Sequence, residues 1–153
     1  MLGVETGKAV ATLAADEGEA LDVFGAGMVV KADPAEFGFC LADHVVPPGY
    51  LVPPHIHADE DEVFFILEGE LTLLDDSGER RLGPGGTVLL PKGVRHGFRN
   101  DTATPVRFLV AIRPGLQMLE LFRHFDRAGR AAPGGLTPQD IMAICPQYGV
   151  QMG

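Results

Sequence analysis

Two histidines, His55 and His57, stand one residue apart, and an unbroken run of acids, Asp59, Glu60, Asp61 and Glu62, follows at once. In an extended segment alternate side chains share a face, so both imidazoles would point the same way. Pro53 and Pro54, directly before, favour that extended backbone. Two imidazoles so placed can share a metal ion, and one of the acids can join them. Glu62 lies an odd five residues beyond His57, so a straight strand would turn it away, and a bend over residues 58–61 must bring it back. The apolar run VFFIL starts right after Glu62, which makes it the last acid before a buried strand. Asp59, Glu60 and Asp61 then read as a solvated turn. A buried carboxylate needs a partner to offset its desolvation, and a divalent cation is a good one.

A third histidine, His96, follows a turn-like Pro91-Lys92-Gly93, and His96, Phe98 and Asn100 alternate onto one face. Three neutral imidazoles and one carboxylate leave one or two positions open on an octahedral ion. Open positions admit water, dioxygen or substrate, which suits catalysis rather than plain structure. Taken singly, each histidine reads as an ordinary turn or core residue and the acid run as a solvated face. The metal reading rests on their common order.

Short β-like runs position these residues. ALDVF (20–24), GMVVK (27–31), FGFCLADHVV (37–46), EVFFILEG (62–69), ELTLL (70–74), ERRL (79–82), TVLLP (87–91), RHGFRN (95–100) and VRFLVAI (106–112) are punctuated by Gly and Pro. Asp75-Asp76-Ser77-Gly78 and Gly83-Pro84-Gly85-Gly86 are strong turns. Many short strands of this kind predict an all-β sandwich or barrel over about 20–113. The tail changes period. Met118, Leu121, Phe122 and Phe125 fall at helical spacing within 116–127, AGRAAPGG (128–135) reads as a loop, and a second helix begins with Thr137 as N-cap and Pro138 in its first turn. Pro146 keeps that helix short or kinked. The two helices make an extension over about 115–149, and the chain reads as a single domain, 1–153.

The 153 residues suffice for one ordinary core, and a hydrophobic fraction of 46% argues against disorder. With 12 basic against 21 acidic residues, the net charge of −9 argues against nucleic acid or an anionic membrane as main partner. No apolar run reaches the length of a membrane span, and MLGVETGKAV lacks the basic-then-apolar pattern of a secretion signal. The two cysteines, Cys40 and Cys145, lack metal or redox spacing and read as buried, reduced packing residues. A cytoplasmic protein is the expectation.

The histidine frame resembles the cupin family. Gly49, His55, His57, Glu62 and Gly69 match its first motif, G-x5-HxH-x4-E-x6-G, and Gly85, Pro91, Gly93, His96 and Asn100 match its second, G-x5-PxG-x2-H-x3-N. Residues 70–84 separate the two, a spacing similar to that of compact microbial members. The resemblance implies a double-stranded β-helix, or jelly-roll barrel, with the metal inside, to which the two short C-terminal α-helices read from the tail's spacing would be added. It implies His55, His57, Glu62 and His96 as ligands of one divalent transition ion (Fe, Mn, Ni, Co or Zn), the glycines and Pro91 as turn residues, and Asn100 as a strand-end residue. The tail layout is similar to that of single-domain cupins called quercetin dioxygenase-like, where the carboxylate matching Glu62 helps remove the substrate's hydroxyl proton.

Tyr50, Phe39, Phe64 and Phe98 are expected to line a cavity for a flat or apolar small molecule. His44 reads as strand packing or as a group reaching that cavity, and His124 receives no role. Arg95 and Arg99 alternate away from His96, toward solvent or a subunit interface. The first tail helix either closes the barrel mouth or packs outside it. Three functions compete: an oxygenase acting on an aromatic or enolic substrate with Glu62 as ligand or base, a metal-dependent isomerase, cyclase or lyase, and a non-enzymatic small-molecule binder. Apolar character on both faces of VFFIL, and the habit of small cupins, predict a homodimer.

Overall fold

The computed structural model describes residues 9–153; most of the N-terminal stretch read above for a secretion signal lies outside them. Eleven strands, three helices and one 3-10 turn follow in order among the described residues. They are β1 Glu19–Val23, β2 Ala26–Ala32, α1 Pro34–Phe37, β3 Cys40–Val46, β4 Leu51–His57, β5 Asp61–Glu68, β6 Leu71–Asp75, β7 Gly78–Leu82, β8 Thr87–Leu90, β9 His96–Arg99, β10 Val106–Arg113, α2 Leu116–Ala131, α3 Pro138–Ile144, the 3-10 turn Cys145–Tyr148, and β11 Val150–Met152. The strands form a six-stranded sheet, β1-β2-β3-β10-β5-β8, and a five-stranded sheet, β11-β4-β9-β6-β7. Every pairing is antiparallel. From β3 onward the chain crosses from one sheet to the other at each connection except the β6–β7 hairpin, as in a jelly roll.

Inward residues alternate along each strand. Val106, Phe108, Val110 and Ile112 of β10 are buried, as are Phe64 and Ile66 of β5 and Ala42, His44 and Val46 of β3. The outward partners Val63, Phe65 and Leu67 leave β5 apolar on its exposed side as well.

The expected strands are present with adjusted ends. The run at 37–46 begins as strand only at Cys40, because Asp33 caps the short helix α1 and Gly38 ends it in the left-handed region. Helix α2 runs to Ala131, so residues 128–131 of the expected loop are helical. Helix α3 starts as the sequence predicts, with a capping box between Thr137 and Asp140, and gives way to the 3-10 turn that contains Pro146. The tail does not end as a helical extension. β11 returns to the barrel and pairs with β4, setting Val150 opposite His57 and Met152 opposite His55. Both cysteines are free and buried, and burial pushes the Cys40 thiol up to about 12 and the Cys145 thiol up to about 11.

Helix α2 is the element that closes the barrel. Its N-terminus is fixed by Gly115, whose φ of 86° is left-handed; a Cβ there would lie 2.7 Å from the Ile112 carbonyl and 2.8 Å from Cys40. The Glu60 carboxylate accepts the N–H groups of Gly115 and Met118. Glu60 is only 3% exposed. It is therefore not part of a solvated turn, as its place in the acid run suggested. It is the remote cap of α2, where a carboxylate meets unpaired helix N–H groups.

Candidate metal centre

β4 carries His55 and His57 on its inner face, and β9 sets His96 directly opposite His55. The approach of these strands depends on Gly97. A Cβ at Gly97 would sit 2.6 Å from the Val52 carbonyl and 2.9 Å from Pro54 N, just where the β4–β9 register slips between Val52 and His55. Glu62 comes from β5, in the other sheet. The chain crosses between sheets over residues 58–60, so the carboxylate faces the histidines from the opposite wall. That crossing supplies the bend that residue parity demanded.

The tautomers explain why these side chains converge. His55 Nδ1 lies 2.7 Å from the Pro53 carbonyl, and His96 Nδ1 lies 3.0 Å from the Val94 carbonyl. A carbonyl only accepts, so each Nδ1 carries the proton and each Nε2 is a bare lone pair. His55 Nε2 is 3.0 Å from His57 Nε2. Glu62 Oε2 is 3.2 Å from His57 Nε2 and 3.4 Å from His96 Nε2. His96 Nε2 and His57 Nδ1 are sealed from solvent with no hydrogen-bond partner. Ligand atoms of the three histidines lie within 4.8 Å of one another. Lone pairs and a carboxylate oxygen thus face each other with too few protons to join them. A cation between them resolves this, and the N3O donor set suits a divalent transition ion.

The electrostatics agree. Burial, with the imidazoles of His57 and His96 beside it, pushes His55 down to about 4. Burial works against the Glu62 carboxylate, but His57 and His96 outweigh it and hold the group below the ordinary range. Burial also pulls His57 down, and Glu62 more than reverses this.

Above the histidines opens a cavity of about 510 Å³. Tyr50, Phe64 and Phe98 line it, together with Phe108, Met118 and Phe122. Phe39 does not. It sits 39% exposed at the bend before β3. Ala42, His44 and Val46 point inward, so odd positions of that segment point out, and the alternation could have excluded Phe39. The same alternation turns His44 into the cavity wall. Met118, Leu121, Phe122 and Phe125 of α2 line the cavity too, so the helix covers the barrel mouth instead of packing outside it. Arg95 is at the rim, not free in solvent: its Nε donates to the Gly153 carbonyl at 2.8 Å and its Nη1 to Asp76 at 3.1 Å. Asn100 is buried, donates to the carbonyls of Val46 and Thr104, and accepts from Thr102, which closes the end of β9. His124 bonds the Tyr148 hydroxyl at 2.8 Å and ties α2 to the 3-10 turn.

Two antiparallel sheets close over an inward cluster of three imidazoles that could hold a metal ion, which makes the fold a jelly-roll barrel. Residues 43–112 match the Cupin_2 family, described as a cupin domain, and the chain belongs to the cupin superfamily. Among curated proteins it is similar to an endoribonuclease YbeY of Myxococcus xanthus, 33% identical over 86 residues, covering 56% of this chain and 28% of that one. It is similar also to quercetin 2,3-dioxygenase of Bacillus subtilis, 34% identical over 99 residues, covering 64% and 28%. Among solved structures it resembles a cupin-superfamily sugar phosphate isomerase of Silicibacter pomeroyi, with 30% identity, a TM-score of 0.53 and 60% of each chain covered. The chain spans less than half the length of these curated relatives. No described helix is long and apolar enough to cross a membrane.

Proposed function

We propose that this cupin is a metal-dependent enzyme acting on a flat aromatic or enolic small molecule, with dioxygen as co-substrate. The observation that carries the reading is the position of the convergent Nε2 atoms and Glu62 at one end of an aromatic-walled cavity. His55, His57, His96 and Glu62 would hold the ion. A divalent ion bound there supplies Lewis acidity and open coordination positions. The chain supplies the rest. Phe64, Phe98 and Phe108 offer flat apolar faces that orient a ring and exclude water. The buried, ionised Glu62 carboxylate is the acceptor the site offers for the proton of a substrate hydroxyl, although His57 and His96 lower its basicity. Similarity to a quercetin 2,3-dioxygenase supports the oxygenase form.

The other relatives fit this cavity less well. A sugar phosphate needs several donors for its phosphate and hydroxyls, whereas Arg95 at the rim is the one basic lysine or arginine among the lining residues. RNA would meet a chain of net charge −9.

The test is oxygen uptake by the full chain reconstituted separately with Fe, Mn, Ni and Co, offered a panel of flavonols and enolic ketones. Uptake with at least one pair is expected. Tight metal binding with no uptake on any substrate would remove the oxygenase form. Turnover under strict anaerobiosis would instead select the second reading, a cyclase or isomerase, which uses the same carboxylate as base without oxygen.

A second copy of the chain is the proposed partner. Phe65 and Leu89 lie 42% and 72% exposed on the outer face of the six-stranded sheet, and Val63 joins them through its pairing with Leu89. A two-fold pairing of that face would cover them.

A further inference from the structure

The cavity has a second polar station, distinct from the histidine triad. His44 is 4% exposed and lines the same cavity. Its Nδ1 lies 2.9 Å from the Gly27 carbonyl, so Nδ1 carries the proton and Nε2 is an unprotonated acceptor. That Nε2 makes no hydrogen bond to any described residue, yet it is not among the atoms sealed from solvent. It is therefore presented to the cavity. The ring is held in place. Phe108 packs against it edge-on at 5.2 Å and Tyr50 at 6.3 Å. Tyr50 cannot satisfy it, because its hydroxyl donates to the Val23 carbonyl at 2.7 Å. Burial also pushes His44 down to about 4, which keeps the ring neutral at ordinary pH.

The position matters as much as the chemistry. Across β10, His44 pairs with Phe108, whereas Glu62 pairs with Ile112. Those two rows lie four residues apart along one strand, roughly 13 Å at the usual rise per residue. Phe108, Phe98 and Phe64 fill the wall between. An acceptor at one end, metal ligands at the other and aromatic faces between them describe a ligand with the complementary order.

We propose that His44 is a substrate-recognition residue, whose Nε2 accepts a hydrogen bond from a hydroxyl at the end of a flat, multi-ring aromatic opposite its metal-binding oxygens. This rests on the aromatic-substrate reading above and adds which member of that class the cavity selects. A substrate lacking the distal hydroxyl leaves the acceptor desolvated and unpaired, and that loss is the source of discrimination.

Two probes separate the ideas: 3-hydroxyflavone, which carries only the metal-binding oxygens, and 3,4′-dihydroxyflavone, which adds one remote hydroxyl. Each is titrated into the zinc-loaded full chain and followed by its own absorbance. The dihydroxy probe is expected to bind about 5–10-fold more tightly. In His44→Phe the ratio should collapse to about one. A second readout needs no variant: the 15N shift of His44 Nε2 in the zinc-loaded chain should move upfield with the dihydroxy probe and stay put with the other. Equal affinities in the unaltered chain, or a ratio and shift indifferent to His44, would overturn the proposal while leaving the aromatic-substrate reading intact. Failure of both probes to bind would overturn that reading, and the role of His44 with it.

Discussion

Glu60 Oε1 accepts the backbone N–H of Met118 at 2.7 Å, across 58 residues of chain. The contact joins the acid run beside the converging histidines to the helix that roofs the cavity. Neighbouring acids therefore divide by role. Glu62 faces the histidines, Glu60 caps α2, and Asp61 pairs with Arg113 at the surface.

Replacing Glu60 by Ala would strand two N–H groups at the buried start of α2. A loss of about 1–3 kcal/mol in unfolding free energy is expected, read by urea denaturation. Bound metal per chain should not change. Equal metal loss in Glu60→Ala and His57→Ala would show that the wrong acid has been assigned to the site.

His57→Ala, by contrast, removes one of the converging nitrogens. Metal affinity should fall by more than about 100-fold, beyond what loss of a supporting contact causes. Metal analysis after dialysis against a competing chelator measures it. Retention of a full equivalent would contradict the site.

Gly97→Ala tests the geometry without touching a ligand. The new Cβ would press on the Val52 carbonyl and push β4 from β9. Weaker metal binding, with all three histidines present, is the expected result. A variant that binds metal as well as the parent would mean the strands can separate without moving His55 from His96.

The low proton affinity of His44 has a sign. The folded chain keeps the ring neutral down to about pH 4, while the unfolded chain protonates it near 6.5. Below 6.5 the unfolded state binds more protons, so stability falls as pH drops from about 6.5 toward 4. The urea midpoint of metal-free protein should fall between pH 7.5 and 5, and His44→Gln should fall less. Identical declines would refute the assignment.

Phe65→Glu combined with Leu89→Glu places two charges on the outer sheet face. Light scattering should show a dimer for the parent chain and a monomer for the double variant. A monomeric parent would end the pairing proposal.

The converging cluster was legible because its spacing is local. His55, His57 and Glu62 lie within eight residues, and the turn into β9 announces His96. Fold class was legible from strand period and turn residues. What escaped depended on distant partners. Nothing near Glu60 signals that its carboxylate meets Gly115 and Met118. Phe39 is the exception: the alternation that turns Ala42, His44 and Val46 inward already places it outside, so local period was enough to exclude it. Residues 150–152 are too short to show a strand's period, and they gain their order by pairing with β4.

The two sheets also set when a metal can arrive. His55, His57 and His96 belong to one sheet and Glu62 to the other. An ion held by all four would be a rivet through the sandwich, and its release would undo a tie between the two walls. Exchange would then be slow beside folding, and the ion carried in mature protein would record which metal was at hand when the barrel closed.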